Sequence, residues 1–227
     1  MEELTRLNRE FEGAEPETIL RWAVERYGER LAMVTSFQPS GLVMLHMLRG
    51  IAPTLAILTL DTGLLFPQTE ALIDCWAGMY RLNLTRVTPV QTLTQQADAH
   101  GAALWERDPD LCCQLRKTIP LGEALRPFEA WITGVRRDQS ESRRESPLFR
   151  WDAKYNTVKI APMAAWTESR VWDYIRAHHL PYNALHDQGY TSIGCQPCTR
   201  AVAPGEDIRA GRWSGLAKTE CGIHRNG

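Results

Sequence analysis

Apolar residues first recur at helical spacing in residues 16–27, where Pro16 suits a first helical position and Ile19, Leu20, Ala23 and Val24 share one face. The uninterrupted run Leu31-Ala32-Met33-Val34 reads as a buried strand ending in Thr35-Ser36-Phe37. A turn through Gln38-Pro39-Ser40-Gly41 then leads into a helix over 42–48. The same reading gives a strand over 54–60 closed by Asp61-Thr62-Gly63, a helix over 69–80, and strands over 84–90 and 130–135. Strands alternating with helices through the first two-thirds predict an α/β fold, a mostly parallel sheet with helices on both faces. Ligands of such sheets bind outside the carboxyl ends of the strands, so 36–41, 61–63 and the chain from Gly134 onward are expected to converge on one pocket. Residues 136–150 are too polar for a core and read as a mobile, arginine-rich loop. A strand over 158–162 and a helix from a Thr167 cap to about His179 follow, and beyond Pro181 the pattern is irregular.

A length of 227 residues suits a single domain, residues 1–227, and 44% apolar with 23% charged residues is the balance of a soluble globular protein. The formal net charge of -1 provides no basic surplus, so neither nucleic acid nor a membrane surface is an expected partner. An anionic ligand must instead be met by locally placed Arg and Lys. The first residues lack a basic stretch followed by an apolar run, and no apolar stretch is long enough to span a bilayer. The expected location is cytoplasmic, where cysteines are reduced and serve metals or catalysis more often than structural disulfides.

The strand, the Ser-Phe-Gln-Pro-Ser-Gly turn and the helix after it together form a phosphate cradle, to which the hydroxyls of Ser36 and Ser40 can add hydrogen bonds. Plain architecture explains the same pattern equally well, since the turn is neither a Walker A nor a GxGxxG sequence. The cysteines carry more weight. Cys112 and Cys113 are adjacent, and Cys195 and Cys198 form a Cys-x-x-Cys. Four such thiolates suit tetrahedral zinc or an iron–sulfur cluster. A cluster is favoured, because successive side chains diverge and are awkward for one tetrahedral ion. Cys221, with Lys218 and His224 as cationic neighbours, has the surroundings that raise a thiolate fraction, although without the other motifs an incidental tail cysteine is the simpler reading. Cys75, on an apolar helix, is expected in the core.

Cys112-Cys113-Gln114-Leu115-Arg116-Lys117 with Pro120-Leu121, then Cys195-Gln196-Pro197-Cys198-Thr199-Arg200, then Glu220-Cys221-Gly222-Ile223-His224 resembles the assimilatory sulfonucleotide reductases, specifically those acting on adenylyl sulfate (APS). Ser36-Phe37-Gln38, the segment from Leu60 to Pro67, Gly134-Val135-Arg136-Arg137-Asp138-Gln139-Ser140 and Gly211-Arg212-Trp213 extend the match over nearly the whole chain. The resemblance implies an adenine-nucleotide α-hydrolase-like fold and a [4Fe–4S] cluster on Cys112, Cys113, Cys195 and Cys198. It implies that Cys221 attacks the sulfur of APS, leaving an S-sulfocysteine from which thioredoxin or glutaredoxin releases sulfite. The segment 205–227 is then a mobile tail carrying the nucleophile. Matching positions make Ser36, Gln38, Ser40, Gly41, Asp61, Thr62, Lys117, Arg136, Arg209, Arg212 and His224 the substrate-binding set. Arg137, Arg143, Arg144 and Arg150 read as solvated surface arginines, His178 and His179 as structural, and Trp213 as a shield of the pocket or a core residue. After Gly-Arg-Trp, where many members carry further tryptophans, this chain has Ser214-Gly215-Leu216-Ala217-Lys218, which leaves phosphoadenylyl sulfate (PAPS) open as a second substrate.

Two other classes compete. An ATP-pyrophosphatase-type ligase or sulfurtransferase could use the same scaffold, but 36–41 lacks the Ser-Gly-Gly-x-Asp-Ser loop such enzymes need. A nucleotide sensor holding zinc or a cluster would reduce Cys221 to a redox tail. Any of these is compatible with a homo-oligomer.

Overall fold

Alternate residues of the short central strands face opposite sides of the sheet, and in this chain both sides are apolar. Leu31 and Met33 pack into one buried cluster while Ala32 packs into the other, and Ile57 and Leu58 divide the same way, as do Ile132 and Trp131. A strand apolar on both faces must be covered on both, which a parallel sheet with crossover helices provides.

The computed structural model describes residues 2–216, 218 and 220–224. In chain order these form α1 (Glu2–Glu10), α2 (Pro16–Tyr27), β1 (Leu31–Val34), α3 (Pro39–Ile51), β2 (Ala56–Leu60), α4 (Pro67–Tyr80), β3 (Leu84–Val87), α5 (Leu93–His100), α6 (Leu104–Arg107), α7 (Pro109–Cys113), a π-helical turn (Gln114–Thr118) and α8 (Ile119–Leu125). After these come β4 (Ala130–Ile132), β5 (Phe149–Asp152), β6 (Thr157–Ile160) and α9 (Glu168–Ala177). The sheet order is β3-β2-β1-β4-β6-β5, parallel throughout except for β5, which runs antiparallel to β6. Helices α2, α3 and α9 pack together and contribute to the larger cluster, and α8 covers β2 and β3 on the opposite face. The α/β fold read from the sequence is therefore the fold observed.

Several expectations need correction. Helix α3 begins at Pro39, so Ser40 and Gly41 lie in its first turn and not in a turn before it. Proline's fixed φ and missing N–H suit it to the opening of a helix. Residues 136–150 hold two 3-10 turns, Arg137–Gln139 and Glu141–Arg143, and end in β5. Arg143 is buried, not solvated. Cys75 is exposed on α4, whose buried side is Leu72, Ile73 and Trp76.

Strand β5 closes one edge of the sheet. The side-chain amide of Asn8 on α1 donates to the carbonyl of Phe149 (2.7 Å) and accepts from its N–H (3.0 Å). Phe149 packs edge-on against Phe11 and Trp22 at centroid distances of 5.6 and 5.0 Å, fixing α1 in place.

Candidate active site

Strand β1 lies between β2 and β4, the point where strand order reverses, and beyond its carboxyl end lies a cavity of about 230 Å³. The loop after β1 is shaped by Thr35, whose Oγ1 accepts the N–H of Phe37 at 3.0 Å and holds Phe37 at φ +54°. That hydroxyl presses on the start of α3: a Cβ on Gly41 would lie 2.3 Å from it, so only glycine fits. Ser36, Gln38, Ser40, Gly41 and Thr62 all line the cavity, with Lys117, Arg136, Arg209, Arg212, Cys195, Cys221 and His224. Asp61 stands off its wall, accepting the N–H of Gly63 and facing Arg86 at 3.9 Å. The polar groups of the first loop are already engaged. Ser40 Oγ accepts from Arg136 at 2.6 Å, and Gln38 Oε1 accepts the N–H of Ile193 at 3.1 Å. These bonds tie the loops after β1 and β4 and the Cys-x-x-Cys segment into one frame.

The adjacent cysteines end α7, and the wide turn after them has a local cause. Pro120 has no N–H to return to Arg116, and its ring crowds that carbonyl, so the ladder opens into a π turn. Cys112 and Cys113 diverge. Cys112 is within electrostatic reach of Cys195 and Cys198, whereas Cys113 interacts with Cys221. Cys195 is anchored from the other side by Thr62 Oγ1, 3.3 Å from its sulfur. Burial pushes the Cys112 thiol up and the Cys198 thiol up to about 11. Lys117 sits among these sulfurs. Burial alone would lower it, yet Cys195, Cys221 and Cys113 outweigh that and hold its ammonium charged. Cys113 draws the Cys221 thiol well down against burial, aided by Lys117, the Ile223 N–H and Arg212.

All the cysteines are free. Among the described residues no three His, Cys, Asp or Glu side chains stand close enough to hold an ion as placed. The donor set itself, four thiols about one lysine, offers the soft sulfur ligands, anionic once metal binding displaces their protons, that an iron–sulfur cluster or zinc requires.

The described part of the C-terminal segment folds over the cavity. Residues 217, 219 and 225–227 of the expected mobile tail lie outside the described residues. Lys218 and His224 are not the cations beside Cys221: Lys218 is bonded to Asp110 and the Pro109 carbonyl. Burial, with Lys159 next, holds His224 well below its usual range and therefore neutral. Its Nδ1 lies 3.0 Å from Lys159 Nζ, and its ring stacks on Trp131. The cations that act most strongly on Cys221 are Lys117 and Arg212, and Arg209 is also within electrostatic reach of it. Arg212 passes over Gly194, where a Cβ would come within 2.2 Å of its guanidinium, and lies 4.5 Å from the ring centroid of Trp213. Its Nε is buried with no partner among the described residues, as is Nε1 of Trp213, which lines the cavity as a buried residue.

Sequence reasoning missed Arg143, Glu220, Lys159 and Trp131, all on the cavity or against it. Glu220 accepts from Arg143 through both oxygens, at 2.7 and 2.8 Å, from Arg209 at 3.2 Å, and from the N–H of Cys221 at 2.9 Å. The one signal for Glu220 is its place immediately before Cys221 in the Glu-Cys-Gly-Ile-His motif.

The reversed strand order, the strand–turn–helix at its centre and helices on both faces define an adenine-nucleotide α-hydrolase-like α/β protein. Yeast FAD synthetase in complex with FAD shares this fold (TM-score 0.58, 18% identity, 88% of this chain and 66% of that one). Residues 30–201 match the phosphoadenosine phosphosulfate reductase domain, and the chain belongs to that family. It is 47% identical to an adenosine 5'-phosphosulfate reductase of Salinibacter ruber, over 97% of this chain and 88% of the relative. It is 45% identical to a phosphoadenosine 5'-phosphosulfate reductase of Gloeobacter violaceus, over 97% and 93%. The crystal structure of phosphoadenylyl-sulfate (PAPS) reductase from Candida auris superposes with a TM-score of 0.76 at 31% identity, covering 87% of this chain and 96% of that one.

Proposed function

We propose that the protein reduces adenylyl sulfate to sulfite and AMP in sulfate assimilation, in the cytoplasm, with thioredoxin or glutaredoxin as the reductant. The observation that carries this reading is the position of Cys221: it lines the cavity at the strand ends, with Lys117, Arg212 and Arg209 as nearby cations. The name borne by the relative from Salinibacter ruber supports the choice of substrate.

The nucleotide occupies the cavity with its phosphate at the first turn of α3, where unpaired N–H groups and the helix dipole favour an anion. Ser36, Gln38, Ser40, Gly41 and Thr62 shape that end, and Asp61 supports it from behind. Arg136, Arg209 and Arg212 neutralise phosphate and sulfate oxygens, and His224 closes the pocket over the nucleotide. The Cys221 thiolate attacks the sulfate sulfur: an S–S bond forms, the S–O bond to phosphate breaks, and AMP leaves with the electron pair, stabilised by the arginines. A dithiol then attacks Sγ of the S-sulfocysteine. Sulfite departs with the S–S electron pair, and the second thiol resolves the mixed disulfide, so two electrons from the dithiol take sulfur from +6 to +4. Cys112, Cys113, Cys195 and Cys198 would hold a [4Fe–4S] cluster beside Lys117. When bound, such a cluster supports sulfate binding and activation and carries no electrons, since the dithiol supplies both.

The Gloeobacter relative bears the name of a phosphoadenosine 5'-phosphosulfate reductase, so the test compares both nucleotides. Anaerobically purified protein is assayed for sulfite from APS and PAPS with thioredoxin, alongside iron and acid-labile sulfide. The expected result is a higher kcat/KM for APS and about four iron per chain. In Cys221→Ser, iron is expected to be retained and sulfite release lost. Normal turnover by that variant would overturn the mechanism, and pyrophosphate release from ATP would favour a ligase.

A further inference from the structure

We infer that Glu220 is a positioning residue, a latch whose carboxylate, seated on Arg143, holds Cys221 in the cavity. Arg143 and Glu220 are 77 positions apart, both are buried, and their two-point contact is the geometry in which guanidinium and carboxylate bind most specifically. Arg209 adds a third donor to the same carboxylate. Its fourth donor is the N–H of Cys221 itself, so the latch fixes the backbone that carries the sulfur.

The socket is rigid on its own side. Arg143 also donates to Gln139 Oε1, and Gln139 in turn accepts the N–H of Arg136 and donates to the carbonyl of Gly134. The loop after β4 thus sets where Glu220 docks, and Glu220 sets where Cys221 stands. A second tether, Lys154 to the carbonyl of Gly222, is exposed and weaker. Glu220 holds Arg209, a cation assigned above to the substrate. The latch therefore orders the tail beside one of the substrate's own cations, and it must open for a protein dithiol to reach Cys221. This ordering rests on the proposed function, but the latch itself is a statement about Cys221 and is tested without turnover.

The experiment measures the alkylation rate of each cysteine by iodoacetamide in the full-length holoprotein, read by mass spectrometry, for the parent protein, Glu220→Gln, Arg143→Gln and the double variant. Loss of a buried charge-assisted pair is expected to raise Cys221 labelling about 10- to 100-fold in each single variant, with no further rise in the double. Cys75 remains fast and Cys195 slow throughout, whereas general unfolding would raise Cys195 as well. Arg143→Lys, which keeps the charge without the fork, is expected to fall between, and it carries the test if Glu220→Gln does not fold. Unchanged Cys221 labelling in the variants, or additive effects, would overturn the latch. With APS, Glu220→Gln is expected to slow S-sulfocysteine formation in a single turnover and to leave reduction of the preformed adduct by dithiol at least as fast. A latch seen by labelling with no sulfite formed by the parent protein would leave the latch standing and remove the proposed reaction.

Discussion

Thr62 Oγ1 lies 3.3 Å from Cys195 Sγ and accepts the N–H of Leu64 at 3.3 Å, so one buried hydroxyl joins the loop after β2 to the Cys-x-x-Cys segment. Thr62→Val keeps the shape and removes both contacts. It is expected to lower stability by about 1–2 kcal/mol in urea unfolding, and to lower iron retained per chain. A variant as stable as the parent would show that this hydroxyl is not the joint.

Gly41 marks the closest approach in the site. Gly41→Ala places a methyl group 2.3 Å from Thr35 Oγ1, which cannot move away without releasing the Phe37 N–H. A loss of about 1–3 kcal/mol is expected, together with weaker AMP binding by calorimetry. Because the clash is with one atom, Thr35→Ala should relieve part of it. The double variant is expected to be more stable than the sum of the two single losses.

Lys159 is buried on β6, and desolvation, together with Arg150 and Arg143, pulls its ammonium down to about 7 against Asp152 and Glu220. In the unfolded chain it titrates near the ordinary lysine value of about 10.4. Between these values the unfolded chain holds a proton that the folded chain lacks, so this group makes stability rise with pH across the window, by up to about 1.4 kcal/mol per unit. Below about pH 7 its full cost is present. Lys159→Met is expected to be less pH-dependent than the parent when urea midpoints are compared at about pH 7 and pH 9. An unchanged slope would show that Lys159 is not the titrating group.

Arg116 threads behind the cavity, donating to the carbonyl of Thr62 at 2.6 Å, to Gln96 Oε1 at 3.1 Å and to the carbonyl of Gln91 at 3.3 Å. A lysine keeps the charge but not the fork. Arg116→Lys is expected to cost about 1–3 kcal/mol and to loosen the π turn, seen as faster amide exchange over 114–118. Equal stability would mean that charge alone suffices there.

The elements legible in the sequence are those whose pattern is local. Leu31-Ala32-Met33-Val34 is apolar on both faces because it lies mid-sheet, and the helix over 69–80 repeats its apolar face often enough to be seen. Strand β5 is hidden, because Arg150 and Trp151 are the more exposed positions of an edge strand and give it the look of a polar loop. The segment 104–125 is unreadable as one helix, since Pro109 and Pro120 divide it into short pieces and a π turn. In the site, the spacing of the cysteines is enough to single them out. The partnership of Arg143 with Glu220 cannot be read, because nothing in either neighbourhood distinguishes a buried arginine from a solvated one. Cys75 illustrates the converse: an apolar helix has an outer side, and one residue's side is fixed only by what the helix packs against.

The bonds from Asn8 to Phe149 have a consequence at the scale of the whole molecule. A strand at the rim of a sheet offers its outward N–H and C=O to any other chain that can align with them, and this is how sheets of separate molecules join. At Phe149 both groups are already taken by a single side-chain amide, which has the donor and acceptor of a peptide but nothing beyond it to extend. Helix α1 thus blocks strand growth at Phe149, and an intermolecular neighbour could pair with that residue only after displacing Asn8.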